Sequence, residues 1–283
     1  MRQNQDKSVA VGVIGVGNMG SALVQGWLRT GQSRINLLLW DKVEELAHRM
    51  AESSSHSLTA GPTVRAAGSW EDVVAHSEIL FLVVKPKDAS GLLGLLRDRL
   101  ASRQTVVSAM AGLPLSWMRS VLGPGPSLLR IMPNLAVRLG AGVLAVTAEP
   151  GTSRRTVEQV LELVKPLGVV RLVSEEELGV VTALSGSGPG FLAVMMEALE
   201  DGAVAAGLSR RVARVLVRQA AKELAQRLCE GGDSAAATGA LLAEAGSPAA
   251  QGLALLEERG VREAFAAAVR AALERSRSLA AAG

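Results

Sequence analysis

The stretch Val9-Ala10-Val11-Gly12-Val13-Ile14-Gly15-Val16-Gly17-Asn18-Met19-Gly20 decides the fold. An apolar, β-branched run enters a G-x-G-x-x-G turn, and Ser21-Ala22-Leu23-Val24-Gln25-Gly26-Trp27-Leu28 then follows with helical spacing. Each glycine has a physical reason. Gly15 permits a tight turn, Gly17 lets backbone approach a pyrophosphate, and Gly20 lets the helix pack closely on the strand. The amide-rich start of the helix then faces an anion. The glycine pattern alone is a weak signal, but here strand and helix flank it correctly. Asp41 stands 21 positions beyond Gly20, after a second apolar run, Ile35-Asn36-Leu37-Leu38-Leu39-Trp40. Together these features predict a dinucleotide seat formed by Gly15, Val16, Gly17, Asn18, Met19 and Gly20.

Outward from this turn, short apolar runs alternate with helical patterns up to about residue 150. The runs predict strands at 9–14, 35–40, 79–84, 105–109, 128–131 and 141–146, with a further short one at 62–64. Helices are expected at 20–29, 43–51, 70–75, 89–100 and 114–121. Continuous apolar strands separated by helices give a parallel sheet covered on both faces. One more unit follows, a helix at 153–165 and a strand at 169–173. Beyond Glu175 every segment has helical periodicity: 180–184, 190–206, 211–228, 235–245, 251–258 and 261–279. The fold class is thus α/β, a Rossmann-type doubly wound parallel sheet over 1–174 and an all-α domain over 175–283. Apolar-faced helices in so short a segment, with few aromatics, predict packing against another subunit.

Composition limits the functions available. Of 283 residues 48% are hydrophobic but only 2% aromatic, and tyrosine is absent. The core must be built from Leu, Val and Ala. The formal net charge is +3, with the arginines scattered among amphipathic segments. Neither a basic stripe nor aromatic stacking platforms are visible, so no nucleic-acid partner is expected. Cys229 is the single cysteine, which fits a reducing compartment and reads as a small core filler. His48, His56 and His76 have no ligand-like spacing, so no metal is expected. The polar start, Met1 to Ser8, does not read as a signal peptide, and the run at 79–84 is far too short to span a bilayer. A cytoplasmic protein with no membrane partner is expected.

Several motifs could carry chemistry. Asp41 can accept hydrogen bonds from the adenosine ribose, whereas neighbouring Lys42 could pair with a 2′-phosphate; Asp41 could equally cap the following helix. Val84-Lys85-Pro86 follows the most apolar strand and falls at the sheet edge where a cofactor runs. Asn134, after Met132-Pro133, either orients a polar ligand atom or forms a turn. Ser185-Gly186-Ser187-Gly188-Pro189 precedes a predicted helix from Gly190, as an anion cradle or as a cap. No general-base histidine, nucleophile elbow or Walker lysine is present. Cofactor chemistry remains, which needs positioning more than an activated side chain.

The chain resembles the pyrroline-5-carboxylate reductases. The resemblance rests on Ile14 to Gly20, Val84-Lys85-Pro86, Ser108-Ala109-Met110-Ala111-Gly112, Arg130-Ile131-Met132-Pro133-Asn134, Thr182 to Pro189, and Glu197-Ala198-Leu199. It implies NADPH or NADH as hydride donor, a cyclic imine as substrate, and a helical domain that forms dimers, sometimes larger rings of dimers. It places Asp41 and Lys42 at the adenosine ribose, and Val84, Lys85, Pro86, Ala109, Met110 and Ala111 along the nicotinamide half. Lys85 and Asn134 are orienting candidates, and Ser185, Ser187, Ser247 and Pro248 fall to the substrate. Two departures stand out. Ser247-Pro248 continues as Ala249-Ala250-Gln251-Gly252 where the family usually has a Gly-Gly-Thr-Thr grip for the substrate carboxylate. Met132-Pro133-Asn134 continues as Leu135-Ala136 where it often has Thr-Pro. Two alternatives stay open at this point: a reductase of another imine or hydroxy acid, and a relative that binds NAD(P)H without turnover.

Overall fold

A computed structural model of the chain describes residues 8–32, 35–55, 61–231, 234–244 and 246–281. His56, Ala245 and the segment from Met1 to Lys7 lie outside the described residues. Two compact units are present, one of residues 1–186 with 273–283 and one of residues 187–272.

The first unit is built on an eight-stranded sheet in the order β3-β2-β1-β4-β5-β6-β7-β8. Its strands are β1 (Val9–Ile14), β2 (Ile35–Trp40), β3 (Thr63–Ala66), β4 (Ile79–Leu82), β5 (Thr105–Ser108), β6 (Ser127–Pro133), β7 (Gly142–Ala148) and β8 (Gly168–Leu172). All pairings are parallel except β6 with β7, which is antiparallel. The sheet is parallel-dominated, as the apolar strands predict, with this one antiparallel pairing. Only the eight residues from Asn134 to Ala141 join β6 to β7, including a 3-10 turn over Leu135–Leu139. A parallel crossover needs a dozen or more residues.

Alternate residues of one strand enter opposite cores, so both faces are covered. Val11, Val13, Leu37, Leu39, Ile79 and Phe81 pack with α1 (Asn18–Arg29), α2 (Glu44–Ser55) and α6 (Arg154–Val164). Ile14, Leu80, Leu82, Val106 and Leu128 pack with α3 (Trp70–His76), α4 (Pro86–Leu96) and α5 (Leu115–Leu122). Trp27 anchors the first core: it is fully buried, meets Phe81 edge-on at 5.2 Å, and donates Nε1–H to the Leu163 carbonyl at 2.7 Å. Such a ring pair contributes about 0.5–1.5 kcal/mol beyond its buried area.

The helical segment begins with α7 (Glu177–Ala205). Ser174 and Glu177 form a reciprocal cap. The Glu177 carboxylate accepts from Ser174 N at 2.7 Å and from Ser174 Oγ at 2.9 Å, while Glu177 N donates to Ser174 Oγ at 3.4 Å. The backbone bond from Ser174, with the hydroxyl second, holds the Glu177 carboxyl below its ordinary value. The expected break before Gly190 does not exist: the segments predicted at 180–184 and 190–206 are one helix with Pro189 inside it. Ser185 to Pro189 therefore lie within a helix and cannot cradle an anion at its start.

The second unit contains α8 (Arg210–Glu230), α9 (Ala235–Leu242), α10 (Pro248–Glu258) and the greater part of α11 (Val261–Ala281). Among its described residues only Ala213 and Thr238 are buried. Cys229 is exposed, which corrects its reading as core. The helix α7 is long and apolar enough to cross a membrane by length and composition, with only 11% of its most apolar window buried.

Candidate nucleotide-binding site

The parallel strands deliver their C-terminal loops to one edge. Trp40, Ile14, Leu82, Ser108 and Arg130 form a single row of neighbours across β2, β1, β4, β5 and β6. Asp41, Gly15, Val83 and Ala109 therefore leave the sheet side by side. The order in which strands are added reverses between β1 and β4, from β1-β2-β3 outward on one side to β4-β5-β6 on the other, the switch point at which open α/β sheets bind ligands. Backbone bonds extend the pairing one step further: Gly15 N to Trp40 O at 2.9 Å, Val83 N to Ile14 O at 2.8 Å, and Ala109 N to Leu82 O at 2.9 Å.

The glycines behave as the turn requires. Gly15 has φ +102°, and a Cβ on it would lie 2.5 Å from the Val83 carbonyl oxygen. A Cβ on Gly20 would stand 1.9 Å from the Gly15 carbonyl oxygen. Gly17 differs: its φ is −69°, and nothing lies within 4 Å of where its Cβ would be. The space over Gly17 is open. Gly17 caps α1 without a side-chain hydrogen bond, and no acidic residue occupies the first turn. Serines cap α3, α6, α8, α9 and α10 instead. Uncapped amides beneath open space suit a pyrophosphate, so the residues present fit a dinucleotide.

Asp41 ties the turn together. Its Oδ2 accepts from Val16 N at 2.7 Å and its Oδ1 from Val43 N at 2.9 Å, so the carboxylate both braces the glycine loop and opens the path into α2. Lys42 points its Nζ at both carboxylate oxygens of Asp88, 3.0 Å from each. Sequence reading missed Asp88, because 46 residues separate the partners and no local pattern links them. Lys85 is exposed at the start of α4, Val84 and Pro86 are half-buried, and Met110 is buried between half-buried Ala109 and exposed Ala111.

Asn134 is brought to α7 and not left free. Its Nδ2 donates to the Ser185 carbonyl at 3.1 Å, and its Oδ1 accepts from Val143 N at 3.1 Å. Nearby, buried Arg130 donates to Glu175 Oε1 at 2.7 Å, and the same oxygen accepts from Leu115 N at 2.7 Å. This carboxylate links β6, the start of α5 and the approach to α7. In the other unit, Ser247 caps α10, accepting from Ala250 N at 3.1 Å, and Pro248 takes the first helical position. Ser187 lies in that unit too, on α7.

Known proteins align with the chain over most of its length. Residues 175–279 match a family profile described as pyrroline-5-carboxylate reductase dimerisation, and residues 10–112 match one described as NADP oxidoreductase, coenzyme F420-dependent. A pyrroline-5-carboxylate reductase of Methanosarcina acetivorans is 32% identical over 269 residues, covering 95% of this chain and 97% of its own. The fold is shared with the solved pyrroline-5-carboxylate reductase of Coxiella burnetii, at a TM-score of 0.85, 24% identity, and coverage of 96% of this chain and 99% of that one. It is shared as well with the Plasmodium falciparum pyrroline carboxylate reductase solved with NADP bound, at 0.79, 23% identity, and coverage of 97% and 99%. NAD(P)H is thus the cofactor, and the dimerisation domain over residues 175–279 supports homo-oligomerisation. With its sequence aligned over nearly its whole length to such an enzyme, this chain belongs to the pyrroline-5-carboxylate reductase family.

Proposed function

We propose that the protein reduces 1-pyrroline-5-carboxylate to L-proline while NADPH or NADH is oxidised. The observation that carries this reading is the uncapped start of α1 over open Gly17, in a chain aligned with the reductases over 95% of its length. When bound, the reduced nicotinamide supplies a hydride to the imine carbon. A protonated imine already carries its proton on nitrogen, so the chain has to orient and enclose the reactants, not transfer a proton. The loops at the sheet edge agree with this: those after β1, β4, β5 and β6 contain no histidine. Holding donor and acceptor about 3–3.5 Å apart and in line is itself a large part of catalysis.

The backbone from Gly15 to Gly20 holds the pyrophosphate, with Asn18 and Met19 offering amides. Asp41 meets the adenosine ribose, and Val84 to Pro86 with Ala109 to Ala111 flank the nicotinamide. The substrate carboxylate goes to the first turn of α10 after Ser247-Pro248, where peptide N–H groups and the helix dipole favour an anion. The nucleotide-binding part is 1–174, and 175–283 is the helical part, assembled as dimers or rings of dimers in the cytoplasm. A relative that binds NAD(P)H without turnover is not favoured, because relatives named as the reductase match the chain nearly throughout.

Purified protein mixed with pyrroline-5-carboxylate should consume NADPH or NADH and release proline in equal amounts. Nucleotide binding without turnover of either cofactor would overturn the reading.

A further inference from the structure

We propose that this chain selects NADH over NADPH, and that Asp88 strengthens the preference by holding Lys42 away from a 2′-phosphate. The proposal rests on the nucleotide seat assigned above. Discrimination between the two cofactors falls on the group that meets the adenosine 2′-position: a carboxylate suits free hydroxyls, and a cation accommodates the phosphate. Asp41 is the carboxylate at the end of β2, and its orientation is locked by Val16 N and Val43 N. Each of its oxygens keeps a lone pair for a ribose hydroxyl. Lys42 is the single cation of the turn, because the following charged residues are Glu44 and Glu45 in the first turn of α2.

That cation is already engaged. Both Asp88 oxygens hold it at 3.0 Å, and Asp88 lies in the first turn of α4, where a negative charge is favoured by the helix dipole. A 2′-phosphate arriving here meets Asp41 with the neighbouring ammonium neutralised. Lys42 could reach it only by leaving Asp88. The ion pair is partly exposed, the Lys42 side chain at 64% and that of Asp88 at 33%, so it is weak enough for a single substitution to reset.

The test is binding without substrate, read from cofactor fluorescence at fixed ionic strength, with NADH and NADPH titrated separately. Wild type should bind NADH about tenfold more tightly, as a like charge at the 2′-position demands. Asp88→Asn should tighten NADPH about threefold and leave NADH within experimental error, as expected for release of an exposed pair. Lys42→Met, combined with Asp88→Asn, should abolish the gain. Equal or tighter NADPH binding by wild type, or an equal change for both cofactors in Asp88→Asn, would overturn the proposal and leave the seat intact. Failure of folded wild type to bind either nucleotide would remove the seat itself, and the proposal with it.

Discussion

Asn134 donates its side-chain amide to the Ser185 carbonyl, 3.1 Å away and 51 residues along the chain. This bond answers a defect that the sequence builds in. Pro189, four residues after Ser185 and inside α7, has no N–H to close the helical bond to that carbonyl. Asn134 substitutes for the missing donor while its oxygen holds Val143 N. Leaving a half-buried carbonyl and an amide N–H unpaired costs about 1–3 kcal/mol. Asn134→Ala should therefore lower the stability read by urea denaturation by about that amount. Restoring the helical donor with Pro189→Ala should recover part of the loss in the double variant. If Pro189→Ala changes stability by the same amount with and without Asn134, the amide is not compensating for the proline.

The glycines of the turn should separate folding from binding. Gly20→Ala drives a methyl to 1.9 Å from the Gly15 carbonyl oxygen, which no rotamer relieves, so the variant should be unstable or insoluble. Gly17→Ala meets nothing in the unliganded chain and keeps an ordinary φ of −69°. It should fold with an unchanged Tm yet bind NADH and NADPH at least about tenfold more weakly, ~1.4 kcal/mol, because its methyl fills the open space over α1. An unchanged affinity, measured by fluorescence titration, would move the pyrophosphate off this turn.

These two cases mark what a reader of the residues could and could not see. The glycine turn was legible because its demands are local: one positive φ at Gly15, one close approach at Gly20, one open space at Gly17. The neighbouring strands were legible from apolar runs buried on both faces. The unbroken course of α7 was not. Gly186, Gly188 and Pro189 argue locally for a break, and the bond that supports the helix comes from Asn134, far away in sequence. The antiparallel β7 was hidden by composition but implied by the eight residues available for its connection. The Lys42–Asp88 pair had no sequence signature, since a sheet topology alone brings β2 and α4 together.

Glu177 gives the start of α7 a pH dependence of known sign. Hydrogen bonds from Ser174 N, and secondarily its hydroxyl, favour the carboxylate and lower its pKa from the ordinary 4.5. At a pH between the two values the unfolded chain binds the extra proton. The contribution is therefore fully present above pH 4.5 and is lost as pH falls through the lowered folded value. Glu177→Gln should make the acid-side decline of Tm shallower than in wild type and leave the curve above pH 6 nearly parallel to it. An identical acid limb in both proteins would show that this cap carries no charge-dependent stability.

The helices of residues 187–272 need a partner to bury their apolar faces. Val194 on α7 and Val215 on α8 are 67% and 63% exposed in the single chain, among the most exposed large aliphatic residues of the protein. Covering such a side chain contributes about 1.5–3 kcal/mol, so an isolated chain forgoes stabilisation that a second copy would return. Wild type should therefore run as a dimer or larger in light scattering, with a Tm that rises with protein concentration. The pair Val194→Glu and Val215→Glu places a charge at each of these exposed apolar positions and should reduce the scattering mass to that of a monomer. The nucleotide seat lies in the other unit, so NADH binding should persist in the dissociated protein. A scattering mass unchanged by both charges would place the assembly contact away from these residues.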